Sequence, residues 1–250
     1  MPTVHDISIA PVKGLALLHP DEVSVTRRGV EENRRFHLVD RDGRLFNGKH
    51  AGALVRVRPR LDDGRLALSF PGGDVVEADV GLGERVETSF YGRPVSGRVV
   101  VGPWAEPLSE LVGEPLRLVY PDDPGQAVDS QVATLVSLAS CARLAQELGA
   151  PVDHRRFRML FTLAGADAHV EDGWSGRAVR VGGAVLRVGD PVGRCVVTSR
   201  DPDTGAVDLD TLRAIRAYRG MDGRRICFGV YAEVEQEGRV AVGDEVAPLS

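Results

Sequence analysis

Residues 36–46 read Phe36-His37-Leu38-Val39-Asp40-Arg41-Asp42-Gly43-Arg44-Leu45-Phe46. Apolar residues flank an Asp-Gly pair, the usual form of a β-hairpin with a tight turn. Outward from this stretch the pattern repeats. Segments 7–12, 22–26, 35–40 and 66–70 are short and rich in β-branched or aromatic residues. Arg28-Gly29, Asp62-Asp63-Gly64 and Pro71-Gly72-Gly73 punctuate them as turns. Regularly spaced strands of this kind predict a barrel or a sandwich for the first hundred residues.

The rhythm changes at Gly102-Pro103-Trp104-Ala105-Glu106-Pro107, so a boundary is expected at 103/104, giving domains 1–103 and 104–250. Helices are predicted at 107–112, 134–148 and 208–219. In the second, Leu138, Cys141, Ala142, Ala145 and Leu148 fall at helical spacing, and Gly149 and Pro151 supply the stop. Asp208 is the expected N-cap of the third. Strands are predicted at 156–163, 178–188 around Gly182-Gly183, 194–199, 228–234 and 240–246. The expected fold class is mainly β with a few helices.

Composition narrows the function classes. Hydrophobic residues are 43% and charged residues 27% of the chain, the balance of a soluble globular protein. The net charge of -5 gives no support for nucleic-acid binding. No run approaches the roughly 18 apolar residues of a membrane helix, and no signal pattern opens the chain. A cytoplasmic protein with no nucleic-acid or membrane partner is expected. Three scattered cysteines, Cys141, Cys195 and Cys227, fit a reducing compartment rather than a disulfide framework. Only Lys13 and Lys49 among the 31 basic residues are lysines, which singles out Lys13 in Ala-Pro-Val-Lys-Gly.

The chemistry concentrates in residues 193–205, Gly-Arg-Cys-Val-Val-Thr-Ser-Arg-Asp-Pro-Asp-Thr-Gly. A thiolate at Cys195 can ligate a metal, attack an electrophile or carry sulfur; a buried cysteine acting as a small hydrophobe is the alternative, and local sequence leaves both open. Asp201-Pro202-Asp203-Thr204-Gly205 reads as a tight turn whose Asp and Thr bond local amides, ahead of a calcium-type loop. His154-Arg155-Arg156-Phe157-Arg158 is a cationic patch entering a strand. Alternation puts Arg156 and Arg158 on one face, suited to an oxyanion. Arg34-Arg35 is a second pair. Cys141 and Cys227 read as core, and Trp174 in Glu171-Asp172-Gly173-Trp174 as a structural anchor.

Taken in order, these pieces resemble the MOSC family, the molybdenum-cofactor sulfurase C-terminal fold, preceded by its N-terminal β-barrel domain. The resemblance rests on Pro11-Val12-Lys13, Asn33-Arg34-Arg35-Phe36, Ser137-Leu138-Ala139-Ser140, Arg156-Phe157-Arg158, Glu171-Asp172-Gly173-Trp174 and Arg194-Cys195 through Asp201-Pro202-Asp203-Thr204-Gly205. It implies a β-barrel MOSC fold behind a smaller β-barrel-like domain, with a ligand site at their interface. Family members with this layout include amidoxime-reducing components. The resemblance then implies a molybdenum cofactor (molybdopterin) with Cys195 as metal ligand and catalytic residue. Lys13, Arg35, Arg156 and Arg158 would bind the pterin and its phosphate, and Thr198 and Asp201 would orient the metal end. It further implies a small-molecule substrate carrying an N-oxygenated group, redox partner proteins as electron donors and, at family level, pyridoxal phosphate binding and sulfur transfer. Gly14 stands where the family commonly has Ser or Cys, Asn33 where it has Asp, and Met159-Leu160 where it has Pro-Asn. A metal-free enzyme or sulfur carrier using Cys195 covalently, and a non-catalytic cofactor-binding module, are the alternative functions.

Overall fold

The fold is that of a computed structural model, which describes residues 1–249. Its strands, in chain order, are β1 (Thr3–Ile7), β2 (Glu22–Thr26), β3 (Gly29–Val30), β4 (His37–Val39), β5 (Leu45–Phe46), β6 (Arg58–Asp62), β7 (Arg65–Ser69), β8 (Val75–Asp79), β9 (Gly81–Phe90), β10 (Arg93–Val101) and β11 (Arg117–Pro121) in the first half. The second half adds β12 (Ala133–Ser137), β13 (Phe161–Ala164), β14 (Ala178–Val181), β15 (Ala184–Gly193), β16 (Cys227–Gln236), β17 (Gly238–Ala241) and β18 (Val246–Pro248). Helix α1 is Ala105–Val112, α2 Leu138–Leu148 and α3 Thr211–Arg219. The mainly-β class with few helices is what the sequence leads one to expect.

The largest sheet runs β1-β13-β12-β16-β15-β14-β18. Its ends meet. Thr3 bridges Glu245, the Val4 N–H donates to Asp244 O at 2.9 Å, and the Val246 N–H donates to Pro2 O at 2.9 Å. A closed barrel results, with Ile7, Leu135, Phe161, Leu163, Val179, Leu186 and Val230 wholly buried inside it. The strand at the start of the chain therefore completes the sheet built by its end. Sheet β17-β2-β3 caps this barrel, with Val25 and Val240 in the same core.

The remaining strands of the first half make a five-stranded sheet, β5-β4-β11-β10-β9, and a three-stranded one, β6-β7-β8. Phe36, Leu38, Leu54, Leu66, Leu68, Trp104, Leu108 and Leu118 form their shared core. Thus α1 and β11, which follow residue 103, pack with the strands before it. A third core joins α2 and α3 to the barrel through Cys141, Leu144, Phe157, Ile215 and Phe228.

Several predicted elements shift. The first strand ends at Ile7, and residues 8–12 lead away into the cleft described below. The helix predicted over 134–148 is a strand, β12, followed by α2 from Leu138. All five residues of β12 are buried, so no alternation announces it. Ser137 makes the switch: its side chain accepts from the Ser140 N–H at 3.0 Å as N-cap. Asp210, not Asp208, caps α3. The strand predicted over 156–163 is a 3₁₀ turn, His154–Phe157, then Arg158 at φ 52, with β13 starting only at Phe161. That over 194–199 is a 3₁₀ turn, Val196–Ser199, entered from an extended Cys195.

Candidate functional site

One cleft of about 240 Å³ lies between the halves. Its lining joins residues from opposite ends of the chain. From the first half come Lys13, Gly14, Arg34, Asn47, Lys49 and Tyr91; from the second, Asp129, Arg156, Arg158, Arg194, Cys195 and Thr198. Six of these are cations and one is a carboxylate, so the cleft is built for an anion.

Each charged group is held in its own way. Lys13 is 6% exposed, and its Nζ donates to Asp129 Oδ1 at 3.0 Å and to Ala127 O at 3.1 Å. Burial, then the nearby Arg34 charge, lowers its pKa to about 8 against the pull of Asp129. Burial pushes the Asp129 carboxyl upward, but Lys13 and Arg34 (3.8 Å away) override this and hold it well below the usual carboxylate range. Arg158 donates from Nη2 to Leu15 O at 2.7 Å, and burial followed by Arg34 brings its pKa to about 10. Arg156 makes a fork to Asp208 at 2.7 and 2.6 Å, while its buried Nε has no partner among the described residues.

Cys195 sits on the same wall as its neighbour Arg194. The Arg194 Nε donates to Phe228 O at 2.8 Å, Nη1 to Phe157 O at 3.0 Å and Nη2 to Met159 Sδ at 2.7 Å. Burial lowers its pKa to about 10, so it stays charged at neutral pH with no carboxylate partner among the described residues. Two of its acceptors are carbonyls that lack any charge, so the guanidinium field reaches the cleft largely uncancelled. Met159 is therefore a thioether acceptor for this guanidinium. Leu160 is 2% exposed and belongs to the barrel core, so it does not face the cleft.

The other candidate residues divide. Thr198 lines the cleft, with its hydroxyl bonded to Cys195 O at 3.0 Å and to Thr211 Oγ1 at 2.8 Å. It fixes the turn after Cys195. Arg35 lies on another surface, its guanidinium 4.7 Å from the Tyr120 ring centroid, and Arg34 takes the place in the cleft. Arg34 adopts φ 57 before β4 begins, in the left-handed region. Asp201 stands outside the cleft lining. Its Oδ1 accepts from the Asp203 and Thr204 N–H groups and from Thr204 Oγ1, the local turn expected of Asp-Pro-Asp-Thr-Gly. The Thr204 N–H, chiefly, lowers its pKa. Arg156 and Arg158 share the cleft without sharing a strand.

Sequence reasoning named Arg34 only as the neighbour of Arg35, and did not single out Asn47, Lys49, Tyr91 or Asp129. For Lys49 a signal existed: it is the second lysine in a chain that otherwise uses arginine, and both lysines line this cleft. Cys141 and Cys227 are buried as expected, and burial pushes the Cys141 thiol up to about 12. Among the described residues no three His, Cys, Asp or Glu are placed to hold a metal together, and no helix is long and apolar enough to cross a membrane.

Residues 1–115 match the MOSC N-terminal beta barrel domain, and residues 122–247 match the MOSC domain. Human mitochondrial amidoxime-reducing component 1 is 27% identical over 98% of this chain and 82% of that protein. Human mitochondrial amidoxime reducing component 2 is 32% identical over the same shares. Among solved structures, the YUAD protein from Bacillus subtilis has the same fold, with a TM-score of 0.50 at 12% identity over 98% of this chain and 94% of that one. The closed barrel, the preceding β domain and these matches place the chain in the MOSC domain family.

Proposed function

We propose that this chain holds a molybdenum cofactor in the cleft and reduces N-oxygenated small molecules, with Cys195 as the protein's ligand to the metal. The observation that carries the reading is one thiol and six cations converging on a single cleft, in a family whose relatives are named as amidoxime-reducing components.

The residues fit such a group. A lone soft thiolate suits a metal that brings its own sulfur ligands. The orphaned Arg156 Nε is a buried donor awaiting an acceptor. Lys13, Arg34 and Arg158 are the cations suited to a phosphate, and Arg156 adds its Nε. A cleft of about 240 Å³ is below the roughly 300–1,000 Å³ of sites that enclose a whole ligand. Cys195 would hold the metal and the cations the phosphate, so the cleft would enclose part of the cofactor rather than all of it. Gly14, at φ 97, lies close to Asn47, where a Cβ would sit 3.3 Å from Asn47 Cα. Its place in the family pattern is thus taken by a close backbone approach.

When bound, the cofactor supplies the electron pair that breaks the N–O bond. An amidoxime takes up two electrons and two protons and leaves as amidine and water. The chain's own part is to hold and orient. Thr198 fixes the turn after Cys195, and Arg194 adds a positive charge to the cleft lining that Cys195 shares. Electrons come from a separate redox partner, because no flavin or iron–sulfur motif is present in the sequence.

The test is reduction of benzamidoxime with reduced benzyl viologen as donor, using protein made in a host that assembles the cofactor. Wild type is expected to form benzamidine, and Cys195→Ala to lose at least about 100-fold in rate. Equal rates for the two would overturn the reading.

A further inference from the structure

Lys13 is accounted for by Asp129 and Ala127, but Lys49 is not. Its Nζ stands 4.2 Å from the Tyr91 ring centroid, and no carboxylate lies within 4.0 Å of it among the described residues. Tyr91 is unusual in its own right. It is 57% exposed and forms the tip of the β9–β10 hairpin with Gly92, at φ 52 and φ 89 respectively. Two-residue tips with both φ positive favour Asn, Asp or Gly, because a Cβ crowds the backbone there. A bulky aromatic kept in such a place points to a use for its ring.

Asn47 ties the pair together. It is 7% exposed; its Nδ2 donates to the Tyr91 hydroxyl at 2.9 Å, and its Oδ1 accepts from the Lys49 N–H at 2.9 Å. One amide thus holds both the Tyr91 hydroxyl and the Lys49 backbone. Gly48, between them, backs onto Val197, whose side chain a Cβ at Gly48 would meet at 3.7 Å. Val197 is two residues from Cys195. The cleft therefore carries, beside the segment that bears the thiol, an exposed aromatic face and an ammonium with no carboxylate within 4.0 Å among the described residues.

From this we infer that Tyr91 and Lys49 form a substrate-recognition rim that selects planar aromatic N-oxygenated compounds bearing a carboxylate, with Asn47 as the positioning residue. The inference rests on the reductase reading for the words "N-oxygenated"; the recognition of an aromatic carboxylate stands apart from it. The ring of such a compound stacks against Tyr91, and its carboxylate takes the ammonium's open coordination. The Lys49 ammonium is already partly stripped of water by the Tyr91 face, which lowers the cost of pairing it.

The experiment has two arms. In the first, full-length protein is titrated calorimetrically with 4-carbamimidoylbenzoate and with benzamidine, a readout that needs no metal. Wild type is expected to bind the carboxylate-bearing compound about 10-fold tighter. Lys49→Met is expected to bring the two within about 2-fold, and Tyr91→Leu to weaken both. A wild type without preference, or Lys49→Met that keeps it, overturns the rim. In the second arm, the loaded enzyme reduces benzamidoxime and its 4-carboxylate. Lys49→Met should raise KM more for the carboxylate than for benzamidoxime. If neither compound is reduced but the binding preference holds, the reductase reading fails and the rim survives. If both are reduced without preference, the rim fails and the reductase reading survives.

Discussion

Asp129 is the single carboxylate among six cations in the cleft, and it decides how Lys13 behaves. The ammonium is buried and crowded by Arg34, so its charged form is disfavoured; Asp129, 3.0 Å away, restores part of that loss. With a pKa of about 8, Lys13 is cationic at neutral pH and loses its proton just above it. An anion bound there favours the charged form, so anion affinity is full below about pH 8 and falls as pH rises through it. Sulfate, whose charge is constant over this range, is the suitable ligand. Titration calorimetry should show wild-type affinity declining from pH 7 to pH 9.5, and Asp129→Asn shifting that decline to lower pH; an affinity flat across the range would contradict the assignment. The rarity of lysine made Lys13 legible in the sequence. The choice of Arg34 over Arg35 was not, because Arg34 lies in the left-handed region before the strand starts, a conformation the pair Arg34-Arg35 does not announce. Asp129 sits in the connection between a 3₁₀ turn and β12, where no pattern marks it.

At the level of elements, the wall bearing Cys195 is held by two clamps between the 3₁₀ turn His154–Phe157 and the loop after Ser199. Arg156 bonds Asp208 in a fork, and Arg155 bonds Asp203 at 2.8 and 2.8 Å. The clamps look alike but differ in burial. The Arg156 side chain is 5% exposed and that of Arg155 is 30% exposed. Removing Asp208 leaves a buried guanidinium with only Asp201, 3.9 Å away, as counter-ion. Because Asp208 itself is 39% exposed, the cost is below that of a fully buried pair, about 2–3 kcal/mol. Removing Asp203 costs less than about 1 kcal/mol. Urea unfolding of Asp208→Ala and Asp203→Ala measures the contrast, and equal midpoints would refute it. The elements were read unevenly for physical reasons. Strand β2, with its clean alternation, was legible. Strand β9 was not, because glycine, arginine and glutamate break its apolar pattern along a largely exposed face. Strand β12 was hidden by the opposite cause, burial on both faces next to a well-marked helix.

For the whole molecule, closure of the second barrel by β1 is the organising event. It carries the chain from Ile7 into the Ala10–Lys13 segment, where the Lys13 N–H donates to Phe36 O at 2.8 Å, and so brings the first half's cations to the thiol of the second. The β-rich class was legible from turn spacing, and a cleft between the halves is where the family resemblance puts the site. Closure itself was not, since pairing between residues near 3 and near 245 leaves no local trace. The proposed function rests on one bond, from Cys195 to a metal. The direct measurement is molybdenum per chain, by mass spectrometry of the metal, in protein made in a cofactor-assembling host. Wild type and Cys141→Ala are predicted to carry molybdenum in stoichiometric amount, and Cys195→Ala only background. Wild type without molybdenum, or Cys195→Ala with as much as wild type, would contradict the proposal.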